Sequence, residues 1–149
     1  MNESFLRMLL LSHFAATLFM TGVIWFVQIV HYPLFASTGS TDFRTYEQRH
    51  STLTTFVVAP PMLVEGVTAL LLFRFRPTGV STWQLSIGLA LVAVIWLSTA
   101  LVQVPCHNAL SLGFDSGVHQ RLVRTNWVRT AAWSLRSLLV LWMVLSLFR

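Results

Sequence analysis

Four apolar stretches of membrane-spanning length make up most of this 149-residue chain. A bilayer core about 30 Å thick needs roughly 20 apolar residues in one helix. Only 10% of the residues are charged, whereas about 25% are charged in a typical soluble domain. The pattern therefore predicts an all-α fold: one domain, residues 1–149, forming an integral membrane four-helix bundle. The predicted spans are residues 5–31, 52–74, 83–105 and 128–148.

Polar and proline residues between and within these stretches predict where the helices begin, bend and end. Tyr32-Pro33 should end the first helix, because the residue before a proline avoids the α conformation. A cap at Ser40, Thr41 or Asp42 should start a short interfacial amphipathic helix before the second span. Pro60-Pro61 should kink that second span.

The fourth helix is predicted to be longer than the bilayer core. Capped by Asp115 or Ser116, it could run to residue 148, about 50 Å at 1.5 Å per residue. Its first turns should therefore project into the headgroups or water.

The charge distribution favours a lipid bilayer as the main partner and excludes a nucleic-acid site, since the basic residues flank membrane segments instead of forming a soluble face. An even number of spans places both termini on one side. Simple counts of arginines slightly favour the opposite side as cytoplasmic, but the acid-free turn at 74–76 favours termini on the cytoplasmic side of a bacterial inner membrane. A homo-oligomer and a partner subunit in a membrane complex both stay open.

Three histidines should meet at one end of the bundle because successive spans run in opposite directions. His31 leaves the membrane, His50 enters it and His107 leaves it again. Imidazoles from different helices are a common way to bind a metal ion or haem, with Tyr46, Glu47 or Cys106 as additional ligands. Alternatively, these histidines cap helix ends and touch headgroups. His13, about 27 Å from His31 along a straight helix, cannot join them.

Glu65 is the only acid well inside an apolar stretch, and Arg136 lies at a similar depth in the fourth helix. An unpaired charge in lipid costs about 2.5 kcal/mol or more, so we predict that the two pair. The pair could fix helix register, or it could relay protons or anchor a ligand. With Asn126 they are the predicted catalytic residues, and Gln103, Asn108 and Arg129 are predicted to bind or orient a cofactor.

Several short motifs resemble those of the anthrone-oxygenase-like family of small four-helix membrane proteins, whose function is mostly unknown. The motifs are His31-Tyr32-Pro33, Pro61-Met62-Leu63-Val64-Glu65, Pro105-Cys106-His107-Asn108, and Asn126-Trp127 followed by Arg129-Thr130. For a few members the resemblance implies oxygen-dependent oxidation of a polycyclic phenol.

Two functions follow as hypotheses. The first is an oxidoreductase or oxygenase acting on a hydrophobic aromatic or quinone-like small molecule. The second is a non-catalytic membrane subunit or lipophilic-ligand-binding protein, in which the polar residues fix helix packing.

Overall fold

Four long helices form the chain in a computed structural model that describes residues 2–39 and 41–148. Each helix is long and apolar enough to cross a membrane, and no strand occurs in the described part. The all-helical, four-helix prediction is therefore confirmed. The helices are α1 (Glu3–Ser37), α2 (Phe43–Arg74), α3 (Thr82–Leu110) and α4 (Ser116–Ser146).

The helices pack in a ring in which each contacts its two neighbours along the chain, with α4 returning to α1. Three apolar clusters fill the bundle along its length, around Leu72, Trp133 and Leu122. The outer surface carries many exposed apolar side chains, including Phe56 and Leu138. Such a surface fits a lipid solvent.

Two helices continue through prolines that were expected near their ends. In α1 a π-helical turn covers Val27–His31, and the Tyr32 N–H donates to the Val27 carbonyl. In α3 the same turn covers Thr99–Gln103, two residues before Pro105. The wider π turn gives room to the carbonyl that a proline ring would otherwise strike. The predicted helix end at Tyr32-Pro33 is therefore wrong, since α1 reaches Ser37, and α3 continues past Pro105 to Leu110.

The expected interfacial helix is not a separate element, because α2 runs unbroken from Phe43 to Arg74. No glycine or proline interrupts residues 43–59, so nothing in this segment ends the helix. Asp42 occupies the N-cap position without a capping side-chain hydrogen bond, whereas Ser40 lies outside the described residues. The predicted cap of α4 is confirmed, since Asp115 accepts a hydrogen bond from the Val118 N–H.

Candidate functional site

A buried ion pair at the centre of the bundle joins all four helices. Arg136 Nη2 lies 3.0 Å from Glu65 Oε1, as predicted. The same carboxylate accepts from Thr17 Oγ1 at 2.7 Å and from Trp133 Nε1 at 2.9 Å. Arg136 Nη1 donates to the Gly88 carbonyl at 2.7 Å. These bonds link side chains or backbone groups of all four helices.

His13 belongs to this central network, which the sequence predictions did not foresee. Its Nε2 lies 3.2 Å from Arg136 Nη2, and its Nδ1 lies 2.7 Å from Thr68 Oγ1. The Thr68 hydroxyl donates to the Val64 carbonyl, so it accepts the Nδ1 proton of His13. The unprotonated Nε2 then accepts from Arg136. The four-residue spacing of His13 and Thr17 was the available signal, because it places both on one helix face.

A second polar cluster lies towards the loops that follow α1 and α3, formed by Glu47, His50 and His107. One potential ligand atom from each residue lies within 4.8 Å of the other two. His107 Nδ1 is 2.5 Å from Glu47 Oε1, and the rings of His50 and His107 are 5.3 Å apart. Glu47 is fully buried, and its Oε2 makes no hydrogen bond. We call these three residues the Glu47 triad.

His31 and Tyr32 support the triad from α1. His31 Nε2 lies 2.8 Å from His50 Nδ1, and the Tyr32 hydroxyl lies 2.9 Å from His107 Nε2. The predicted convergence of His31, His50 and His107 is therefore confirmed. Glu47 belongs to the group of mutually close ligand atoms and His31 does not; metal binding by His31, His50 and His107 stays a prediction.

The other two proposed auxiliary ligands, Cys106 and Tyr46, have mainly apolar or aromatic surroundings. Cys106 is buried in the apolar cluster that contains Leu110 and Leu122. The Tyr46 ring stacks 6.3 Å from that of His50. Both positions follow from packing, since each side chain sits among apolar or aromatic neighbours.

The sequence signal for Glu47 as a principal ligand is its spacing from His50. The pair has the form Glu-x-x-His, which places both side chains on one face of α2. The same spacing supplies metal ligands in helical carboxylate-bridged metal proteins. The sequence predictions name Glu47 only as an auxiliary ligand and overlook this pattern.

A cavity of about 240 Å³ adjoins the triad inside the bundle. His50 and His107 line one part of it, and Met20, Met62 and Trp133 line another. A larger groove of about 890 Å³ lies beside it and shares Val23, Val27, His50, Thr54 and Val58 with its lining. Exposed Phe26, Leu53 and Val57 border this groove, so it opens towards the lipid-facing surface.

Arg129, one of the predicted cofactor-binding residues, also lines the cavity. Its Nε donates to Asn126 Oδ1 at 2.9 Å, and its Nη1 donates to Thr99 Oγ1 at 3.2 Å. Asn126 Nδ2 in turn donates to Gln28 Oε1. Asn126 is fully buried and lies behind Arg129, so its position suits holding Arg129 in place; its catalytic role stays a prediction.

The other two predicted cofactor-binding residues differ in their surroundings, although both line the cavity. Gln103 is buried and donates through Nε2 to Thr125 Oγ1, and its Oε1 has no partner. Asn108 is exposed at the rim, and its backbone carbonyl accepts a hydrogen bond from Ser111 Oγ. Gln103 is thus the better placed of the two to contact a molecule inside the bundle.

Comparison of the chain with family models, with curated proteins and with solved structures finds no significant match. The two buried networks and the cavity between them are the structural features that bear on function.

Proposed function

We propose that this protein is a membrane-embedded, metal-dependent oxidoreductase acting on a hydrophobic aromatic or quinone-like molecule. The observation that carries the proposal is the Glu47 triad, a carboxylate and two imidazoles beside an apolar cavity. Two histidines and one carboxylate are typical ligands of non-haem iron(II) oxygenases, and a related set binds catalytic zinc. The buried Glu47 Oε2 has no protein partner, which suits a carboxylate that binds a cation.

The surroundings of the triad support a metal ion as the bound species. Metal-binding histidines usually have their second ring nitrogen held by a hydrogen bond. The Tyr32 hydroxyl is placed to do this for His107, and His31 contacts a ring nitrogen of His50. Haem, the other cofactor expected from the sequence, is held by axial side chains. A carboxylate between two imidazoles fits a single metal ion better.

The chemistry proposed is a two-electron oxidation with oxygen as the oxidant. A hydroquinone, for example, loses two electrons and two protons to become a quinone, and oxygen is reduced to hydrogen peroxide. The metal would supply the redox chemistry, and the cavity would hold the substrate beside it. The lateral groove between α1 and α2 would admit the substrate from the bilayer.

Metal analysis of the full-length protein in detergent tests the proposal. After incubation with iron(II) and removal of free metal, we expect about one ion per chain. Glu47→Gln should abolish stoichiometric binding, because it removes the only carboxylate of the triad. Glu3→Gln is the matched control, because it changes an acidic residue at the end of α1 that lies away from the triad. Wild-type protein without bound metal would contradict the proposal.

Oxygen consumption then tests the redox step. Iron-loaded wild-type protein should consume oxygen when a lipophilic hydroquinone is added, and the Glu47→Gln variant should not. Stoichiometric metal without oxygen consumption would retain the metal site but remove this reaction.

The second candidate function is a non-catalytic membrane subunit or lipophilic-ligand binder. The direct contacts among Glu47, His107 and Tyr32 favour it, because such polar contacts also hold helices together without a metal. A protein that binds lipophilic molecules but no metal would support this alternative.

A further inference from the structure

Arg129 is a buried cation without an acidic partner. It is only 8% exposed. Three of the acidic residues contact other groups: Glu3 lies near Arg7, Glu47 contacts His107, and Glu65 pairs with Arg136. The chain has five acidic residues. The remaining two, Asp42 and Asp115, occupy N-cap positions of α2 and α4.

The neighbours of Arg129 orient it without neutralising its charge. Asn126 and Thr99 accept its hydrogen bonds, and the Trp133 ring lies 5.9 Å from its guanidinium carbon. A buried charge with only neutral partners is costly. Arg136 provides the contrast in the same helix, because Glu65 lies within 3.0 Å of it.

The cavity beside Arg129 combines this positive charge with an apolar lining. Met20, Ile24, Val58 and Met62 supply much of that lining. Guanidinium groups recognise carboxylates through charge-assisted, often bidentate hydrogen bonds. A small apolar body with an acidic oxygen group therefore matches both parts of the cavity.

We propose that Arg129 binds the carboxylate of a lipophilic organic acid in this cavity. This inference deepens the proposed function, because the cavity is the one beside the Glu47 triad and the acid would be its ligand or substrate. Binding of the acid depends on Arg129 and the cavity, so it can be measured on metal-free protein. A failure to bind acids and a failure to bind metal are therefore separate results.

Calorimetric titration of metal-free, full-length protein in detergent tests the inference. The probes are 2-naphthoate and its neutral isostere 2-naphthamide, with benzoate and benzamide as a smaller pair. We expect the acid of at least one pair to bind about tenfold or more tightly than its amide, which corresponds to about 1.4 kcal/mol. Equal affinity of acid and amide, or no saturable binding of either acid, would overturn the inference.

Three variants assign the preference to Arg129. Arg129→Gln should bind acid and amide equally, whereas Arg129→Lys should keep part of the preference because it keeps the charge. Arg124→Gln removes an exposed arginine of the same helix and should leave the preference unchanged. An acid preference that survives in folded Arg129→Gln would refute the role of Arg129. If Arg129→Gln does not fold, the wild-type comparison still decides whether an acid is bound.

Discussion

Several buried polar side chains in this bundle are held by partners on other helices, so single substitutions should have separable effects. Glu65 illustrates this, because its two oxygens accept from Thr17, Trp133 and Arg136. Removing one member of a buried ion pair leaves the other uncompensated, and this typically costs about 3–5 kcal/mol.

Glu65→Ala should therefore destabilise the bundle strongly by leaving Arg136 unpaired. The double variant Glu65→Leu with Arg136→Leu should recover part of the loss, because neither charge then remains. Unfolding in mixed micelles, followed by circular dichroism, measures the stability of the wild type, of the two Leu single variants and of the double variant. If the effects of the two Leu single variants simply add, the side chains do not interact.

Tyr32 gives a prediction about the Glu47 triad. Its hydroxyl contacts His107 Nε2, so Tyr32→Phe should weaken metal binding without removing a ligand. Loss of such a supporting hydrogen bond typically costs 10- to 100-fold in affinity. Competition with a chromogenic chelator measures the change in metal affinity.

Tyr46→Phe is the matched control, since the Tyr46 ring stacks near His50 and Tyr46 is not one of the three triad residues. Its metal affinity should equal that of the wild type. Equal affinities in all three proteins would show that the Tyr32 hydroxyl does not support the metal ligand.

At the scale of helices, the two π turns determine which side chains face the bundle. Both end two residues before a proline, and both contain a buried glutamine, Gln28 or Gln103. A π turn contains one more residue than an α turn, so it rotates everything after it relative to a regular helix. His107 lies after the second π turn, and its approach to Glu47 depends on this rotation.

Deleting Leu101 should convert the turn at Thr99–Gln103 into a regular one. Leu101 is 67% exposed, so its side chain contributes little to packing. The deletion should rotate the helical segment that contains His107 by about 100° about the helix axis. Metal binding should therefore be abolished. Leu101→Ala keeps the chain length and should retain the metal. Metal analysis of the deletion variant and of Leu101→Ala checks both expectations. A deletion variant that still binds one ion would mean that the helix end adjusts independently.

The same elements show what sequence reasoning could and could not supply. Hydropathy and span length predict four helices, because lipid exposure demands continuous apolar segments. Alternating direction predicts that His31, His50 and His107 meet, because connectivity alone places them at one end. The predicted end of α1 at Tyr32-Pro33 was misplaced, since a proline rule based on regular helices does not include π turns.

At the scale of the whole molecule, the ring of four helices encloses two polar levels separated by apolar packing. Matching depths on α2 and α4 predict the pairing of Glu65 with Arg136. The inclusion of His13 and Gly88 in that level depends on helix rotation and spacing, which one sequence does not define. The triad required Glu47 to face inward beside His50, and the Glu-x-x-His spacing is the sequence feature that indicates this.

The last prediction concerns how this bundle lies in the membrane. Four spans place Asn2 and Phe148 on one side and the loop at 111–115 on the other. Because the chain has one cysteine, a Cys106→Ala background allows single-cysteine variants at exposed positions: Asn2→Cys, Phe148→Cys and Leu112→Cys. In intact bacterial cells a membrane-impermeant maleimide should label only Leu112→Cys, since the arginines of the 74–76 turn favour cytoplasmic termini.

Labelling of both terminal variants but not Leu112→Cys would reverse the orientation and keep the topology. Labelling of one terminus without the other would contradict a four-span bundle. The alternating directions of the spans would then no longer place the residues of the Glu47 triad at one end.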